Sequence, residues 1–259
     1  LKKYTKIKKL FCSLKRLRWL NLRSNILLNK SFQTNMSIDE YFQNEWPLDL
    51  QFIQLKTLIL DSCFLQFRII RNLLERLPNL EELHLTSNEY KKIDFDQSDE
   101  KKFSHTNLKY LHFNKNLISE WGEICNLGRA FPNLEQLNLS ENPIENFTDS
   151  NSPDLFKNLK QLIINKINIS KWDSIEQLCQ FSSLDHVRVR NIPLLDSLNE
   201  ETRFFMLVAY LSDRITHLNG SLIQSVEKET CERKFLRHFL DIPDAEKPKR
   251  YFDLEQKHG

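Results

Sequence analysis

Leucines recur along this chain in a fixed phrase, Leu-x-x-Leu-x-Leu-x-x-Asn, with mostly polar residues in the gaps. It reads Leu17-Leu20-Leu22-Asn25, Leu80-Leu83-Leu85-Asn88, Leu108-Leu111-Phe113-Asn116 and Leu134-Leu137-Leu139-Asn142. Looser copies are Leu55-Leu58-Leu60-Cys63, Leu159-Leu162-Ile164-Ile167 and Leu184-Val187-Val189-Ile192, and Ile215-Leu218 is a partial last one. The second leucine position falls at 20, 58, 83, 111, 137, 162, 187 and 218, so successive copies stand 38, 25, 28, 26, 25, 25 and 31 residues apart. Alternation within each phrase predicts a short strand. Its leucines turn inward, and the third, fifth and seventh residues turn outward. The ninth-position Asn is expected to bond backbone groups at the turn that follows.

A period of about 20–29 residues carrying this phrase is the signature of a leucine-rich repeat. The predicted fold is α/β: a right-handed solenoid with a concave parallel β-sheet, a mixed helix and loop convex side, and a C-terminal helical cap. Stacked repeats share one continuous core, so the length does not require two ordinary domains. Residues 1–220 are read as about seven to eight repeats, and 221–259 as a capping helix and exit segment. On the convex side, the periodicity predicts a helix over 68–77. Two further returns share an Ile-Ser-x-Trp phrase, with Ser119 and Ser170 as helix N-caps and Trp121 and Trp172 packing beneath. Helices over 200–212 and 225–240 are expected to close the open end of the core, with Pro243 and Pro248 breaking regular structure beyond them. Residues 29–46 are expected to form a loop or short helix. Residues 89–106, dense in Lys, Asp and Glu, are expected to form a solvated loop. Leu1 to Leu14 read as the tail of an earlier repeat, and a start at Leu1 instead of Met predicts a fragment.

Composition narrows the function classes. The chain has 259 residues, 40% hydrophobic and 28% charged, and a net charge of +2. Charges of both signs are mixed, with no clustered basic stripe to point to nucleic acid. Only four glycines occur, which excludes a glycine-rich phosphate loop. Cys12, Cys63, Cys125, Cys179 and Cys231 are scattered and odd in number, so free thiols in a reducing compartment are expected. Sequons stand at Asn29, Asn35, Asn138, Asn146, Asn168 and Asn219. Because Asn138 lies inside the repeat phrase itself, they are read as chance occurrences. No apolar run approaches the ~20 residues of a membrane span.

The outward positions form a surface map. Candidate partner-binding residues along the concave strip are Trp19, Asn21, Ile59, Glu82, His84, Tyr110, His112, Gln136, Asn138, Ile163, His186, Arg188 and Arg190. Tyr110, Ile59 and Ile163 are of the kind that anchor interfaces. Arg188, Arg190, His186 and His217 make the C-terminal end basic, which favours an acidic partner. The competing reading is a row of ordinary exposed strand residues. His84 and His112 should stand on adjacent strands roughly 5 Å apart, with Glu82 and Tyr110 nearby. A flat ladder spreads ligands instead of enclosing an ion, so no metal is expected. No cofactor or catalytic group is expected either, because an open ladder offers no water-excluded pocket.

The last third of the chain carries a more selective pattern. Val187-Arg-Val-Arg-Asn-Ile-Pro-Leu-Leu195, Ile215-Thr-His-Leu-Asn-Gly-Ser221 and Glu227 to Phe239 with Glu232-Arg233 resemble segments of the tubulin-specific chaperone cofactor E family. Pro248-Lys-Arg-Tyr251 through Lys257-His-Gly259 resembles that family's exit from its repeats. Leu77-Pro-Asn-Leu-Glu-Glu-Leu83, and Trp121 through Phe131-Pro-Asn-Leu134, also fit. Ile192 in place of Asn, and the tail from Asp241 to Tyr251, point to the E-like branch. Residues 1–60 match only as repeats. The resemblance implies a non-enzymatic, cytoplasmic and cytoskeleton-associated protein. It would be a monomeric module that recognises α-tubulin or the α/β-tubulin heterodimer and promotes heterodimer destabilisation or turnover. The E-like branch carries a C-terminal ubiquitin-like domain and lacks the glycine-rich domain of cofactor E. The alternative is an intracellular leucine-rich repeat scaffold or adaptor with a different protein partner.

Overall fold

The computed structural model describes residues 18–24, 53–95, 103–147 and 152–259. Within them each phrase yields one short strand: β1 Trp19–Asn21, β2 Thr57–Ile59, β3 Glu82–His84, β4 Tyr110–His112, β5 Gln136–Asn138, β6 Gln161–Ile163, β7 His186–Arg188 and β8 His217–Leu218. They pair in chain order, all parallel, with the central row Leu20, Leu58, Leu83, Leu111, Leu137, Leu162, Val187 and Leu218 in register. From Leu58 onward this row is buried, the inward half of the alternation. A ninth strand, β9 Ser221–Leu222, joins β8 antiparallel. Asn219 and Gly220 link the two with φ of 55° and 94°, the positive values that a tight hairpin demands of both central residues. The repeat pattern gave no hint of this strand, because the hairpin rests on two turn residues alone.

The ninth position explains why the repeats stack. Asn88 donates Nδ2 to Leu60 O at 3.0 Å and accepts the Cys63 and Phe64 amides at 2.8 and 2.7 Å. Asn116 donates to Leu85 O and accepts the Asn88 amide, and Asn142 donates to Phe113 O. Each side chain thus satisfies backbone groups that the strand end leaves buried. Cys63 fills the same place by donating Sγ to Leu22 O at 3.0 Å. In the two repeats before the partial last one Ile167 and Ile192 stand there, buried and apolar. One residue earlier in every phrase, Ser24, Ser62, Ser87, Lys115, Glu141, Lys166 and Asn191 take left-handed φ between 54° and 61°. None is glycine, and each such turn costs about 1–2 kcal/mol, which the bonded ladder beside it offsets.

The convex returns carry α1 Phe67–Leu74, α2 Trp121–Ala130, α3 Ser152–Leu155 and α4 Trp172–Gln177, the last followed by a 3-10 turn at Leu178–Gln180. Ser119 and Ser170 do not cap their helices. Both helices begin at the tryptophan, preceded by Glu120 and Lys171, neither of which makes a side-chain cap bond. Packing of the indole sets the start. Trp121 is buried edge-on to Phe147 at 4.7 Å, and Trp172 stacks on Tyr210 at 4.5 Å. Gly128 lets α2 approach closely, since a Cβ there would meet Leu155 and Phe156 at 3.0 Å.

At residues 89–95 and 103–106, the described parts of the charged stretch, the structure differs from the solvated loop expected, and residues 96–102 lie outside the described residues. Tyr90, Ile93 and His105 are buried, and Phe95 and Phe103 pack against the core. Phe67, Tyr90 and Phe113 form one aromatic cluster, and Phe95, Phe103 and Phe131 extend it. Its apolar residues sit two to eight apart among the charges, so a charge count masks them. The expectation for 29–46, the supposed tail at 1–14, and Cys12, Asn29 and Asn35 lie outside the described residues.

At the C-terminal end, α5 Glu200–Tyr210 and α6 Ser225–His238 cover the last repeat. Asn199 caps α5 by accepting the Thr202 amide at 2.9 Å. Pro243 precedes a 3-10 turn at Asp244–Glu246, and Pro248 starts a further helix, α7 Lys249–His258, instead of ending regular structure. A missing N–H is no loss at a helix start. Glu232 of α6, 1% exposed, receives His258 Nε2 at 2.6 Å and Lys257 Nζ at 3.0 Å, locking α7 onto α6. Among the described residues no helix is long and apolar enough to cross a membrane.

Candidate partner-binding strip

The register turns the outward positions into two straight rows. Third positions align as Trp19, Thr57, Glu82, Tyr110, Gln136, Gln161, His186 and His217. Fifth positions align as Asn21, Ile59, His84, His112, Asn138, Ile163 and Arg188. Every predicted strip residue in β1–β7 falls on one of them. Arg190, at a seventh position, extends past the end of β7. That seventh row is mostly turned to structural use: Asp61 accepts the Thr86 amide at 2.8 Å, Thr86 bonds Asn114, and Ser140 accepts the Asn165 amide.

Three stretches of the strip differ in character. At the N-terminal end Trp19 is 54% exposed, and Asn21 accepts the Arg23 amide. In the middle His84 and His112 stack with ring centroids 4.0 Å apart, and both Nε2 atoms reach Glu82 Oε1, at 3.1 and 3.2 Å. Thr57 Oγ1 holds the other carboxylate oxygen at 3.1 Å. The expectation that a flat ladder keeps these groups apart fails here, because Glu82, His84 and His112 present ligand atoms within 4.8 Å of one another. Tyr110 stays outside this cluster, an exposed ring on the third row. Beyond it Gln136, Asn138 and Ile163 are half-buried and continue the two rows.

Burial and hydrogen bonding shift two members of this cluster, His112 and Glu82, in the same downward direction. Burial pushes the His112 imidazole below its ordinary value, with the neighbouring His84 adding to it. For Glu82 burial acts upward, but hydrogen bonds from His84 and Thr57 and the nearby imidazoles outweigh it and hold the carboxyl low.

At the C-terminal end His186 stacks on His217 at 3.9 Å. Asp185 takes only His186 Nδ1, at 2.6 Å, and Thr216 Oγ1 and His217 Nδ1 share a hydrogen bond of 2.9 Å. Arg188 and Arg190 are exposed. Arg190 donates to Asn219 O at 2.9 Å, and among the described residues no carboxylate lies within ion-pair distance of either guanidinium.

Two ladders along the strip's flank escaped the sequence reading. Second positions run Lys56, Glu81, Lys109, Glu135, Lys160, Asp185. Lys56 pairs with Glu81, and Glu135 takes Lys109 at 3.2 Å and Lys160 at 2.7 Å. The alternating signs at fixed phrase position were the available signal. Just before the phrase, Asn79, Asn107, Asn133 and Asn158 each donate to a carbonyl of the preceding repeat. The recurring Asn-Leu was visible in the sequence.

The leucine-rich repeat family model of two copies matches residues 106–152. The chain is 32% identical over 261 residues to the human tubulin-specific chaperone cofactor E-like protein, covering 100% of this chain and 57% of that one. To the rat protein of the same name it is 36% identical over 211 residues, covering 80% and 48%. To the tubulin-folding cofactor E of Arabidopsis thaliana it is 29% identical, covering 81% and 41%. Among solved structures, internalin C2 of Listeria monocytogenes overlaps 58% of this chain and 60% of its own, at 19% identity and a TM-score of 0.37. The chain spans about half the length of the curated relatives it matches. At 32% and 36% identity over most of this chain, the human and rat proteins are its homologues: the chain is a leucine-rich repeat solenoid with a C-terminal helical cap, similar in sequence to the tubulin-specific chaperone cofactor E-like proteins.

Proposed function

We propose that this chain is the recognition module of a tubulin-handling cofactor, and that its strip of outward residues binds α-tubulin, free or within the heterodimer. Heterodimer destabilisation or turnover then follows from holding one subunit. The module works without catalysis, in the cytoplasm and beside the cytoskeleton. The observation that carries the reading is the C-terminal end of the strip, where Arg188 and Arg190 stand exposed next to the stacked His186–His217 pair. Cations that no neighbouring acid neutralises favour an acidic partner surface and speed encounter with it. Tyr110, Ile59 and Ile163 supply anchoring area further along. Relatives named as tubulin-specific chaperones make tubulin the partner of first choice. The test is sedimentation or surface-binding with purified αβ-tubulin. Micromolar binding is expected, and the double variant Arg188→Glu/Arg190→Glu should weaken it by about 10-fold or more at low salt, less at high salt. Unchanged affinity in that variant removes the arginine end from the interface. No binding by the parent chain removes tubulin as the partner and favours a scaffold for another protein.

A further inference from the structure

We propose that Glu82, His84 and His112 form a site for a zinc-class divalent transition-metal ion on the outward face of the sheet. The strands preorganise the set. Glu82 and His84 lie two residues apart on β3 and so project from the same face, and His112 is the register partner of His84 on β4. The three ligand atoms lie within 4.8 Å of one another, and Glu82 Oε1 is 3.1 and 3.2 Å from the two Nε2 atoms. Donors on a tetrahedral ion with bonds of about 2.0–2.1 Å stand roughly 3.3–3.4 Å apart, close to this spacing. Two imidazoles and one carboxylate suit zinc and its first-row neighbours, whereas calcium and magnesium prefer oxygen. Thr57 Oγ1 on Glu82 Oε2 orients the carboxylate from behind, as a supporting group should.

The change on binding is small and specific. A carboxylate only accepts hydrogen bonds, so without metal both Nε2 atoms donate to Oε1. Binding takes each imidazole in its Nδ1-protonated tautomer, which frees both Nε2 lone pairs for the ion. The rings, 18° from parallel, must splay further to meet one ion, and side-chain exposures of 21% and 23% leave them room. Three protein ligands leave the outward position open. Among the described residues no other group of three converges in this way. The second histidine pair does not, because Asp185 touches only His186. This proposal is independent of the tubulin reading.

Cobalt(II) titration of the purified chain at neutral pH tests it. One equivalent should bind saturably with micromolar affinity or better, showing visible d–d bands without the ultraviolet sulfur charge-transfer that cysteine ligation produces. Zinc should displace it. His84→Ala and His112→Ala should each lower affinity by at least about 10-fold, with circular dichroism and metal-free melting confirming that the variants fold. If an alanine variant unfolds, His112→Gln, closer in size, decides in its place. Absence of saturable binding, sulfur charge-transfer, or undiminished binding in a folded His84 or His112 variant each overturns the assignment.

Discussion

His84 and His112 stack at 4.0 Å in the middle of the sheet, and His186 and His217 stack at 3.9 Å near its C-terminal end. The repeat supplies both pairs by the same device, one imidazole per strand at equal phrase positions. What differs is where the nearest carboxylate sits. Glu82 occupies a third position, on the same face as the fifth-position histidines, and both rings turn their Nε2 atoms to it. Asp185 occupies a second position, at the flank, and reaches only its own neighbour. The middle therefore closes on itself. The end keeps its imidazoles and two arginines facing outward. One step of strand parity separates a converging cluster from a docking surface.

The largest expected effect lies beneath the strip, where the two regions differ again. Under the middle runs the Asn88–Asn116–Asn142 ladder, and near the end Ile167 and Ile192 replace it. Asn116→Ile should cost about 3 kcal/mol, because it orphans buried carbonyls and the Asn88 amide. The reverse exchange, Ile192→Asn, should cost a similar amount, roughly 2–3 kcal/mol, by placing an amide in a fully buried apolar site. Urea unfolding midpoints measure both. A neutral Ile192→Asn would mean that the ladder extends to the end, and that the two regions are interchangeable at this level.

The strands, their register and the two outward rows were legible because the phrase fixes inward and outward at every position. Leu83, Leu111 and Leu137 could only face the core. Features that depend on side-chain reach were not legible. Nothing in the spacing said that Glu82 would fold back onto both imidazoles, since a cross-strand separation near 5 Å is compatible with contact or none. Tyr90, Phe95 and Phe103 hid in a charged stretch because their burial comes from tertiary contact, Tyr90 and Phe95 with Phe67 and Phe103 with Phe131, without local periodicity. Helix α7 hid behind Pro248, which reads equally as a stop or a start.

A smaller effect sharpens the carboxylate argument directly. Glu82→Ala removes the acceptor of two part-buried imidazoles and should destabilise by about 1–2 kcal/mol. Asp185→Ala removes one half-buried contact to a single imidazole and should cost at most about 0.5 kcal/mol. Denaturant unfolding of both variants at neutral pH checks the difference. Equal costs would show that the convergence on Glu82 contributes nothing.

The smallest effect is in pH. Burial, with His84 beside it, holds the His112 imidazole below its ordinary value. At neutral pH and above, the ring is uncharged in both folded and unfolded chains, and the folded state bears no penalty. As pH falls past the unfolded value of about 6.5, the unfolded chain takes up the proton first, and stability declines until His112 itself is protonated. Glu82, held low in the folded state, keeps its own contribution until pH drops through that depressed value, so its loss comes later and in the acid range. Between about pH 7.5 and 5.5 the decline from His112 is bounded at roughly 1.4 kcal/mol by the unfolded value alone. His112→Gln should flatten that part of the profile. An unaltered slope in His112→Gln would assign the pH dependence to other groups and leave the middle of the strip as insensitive to protons as any ordinary pair of exposed strand residues.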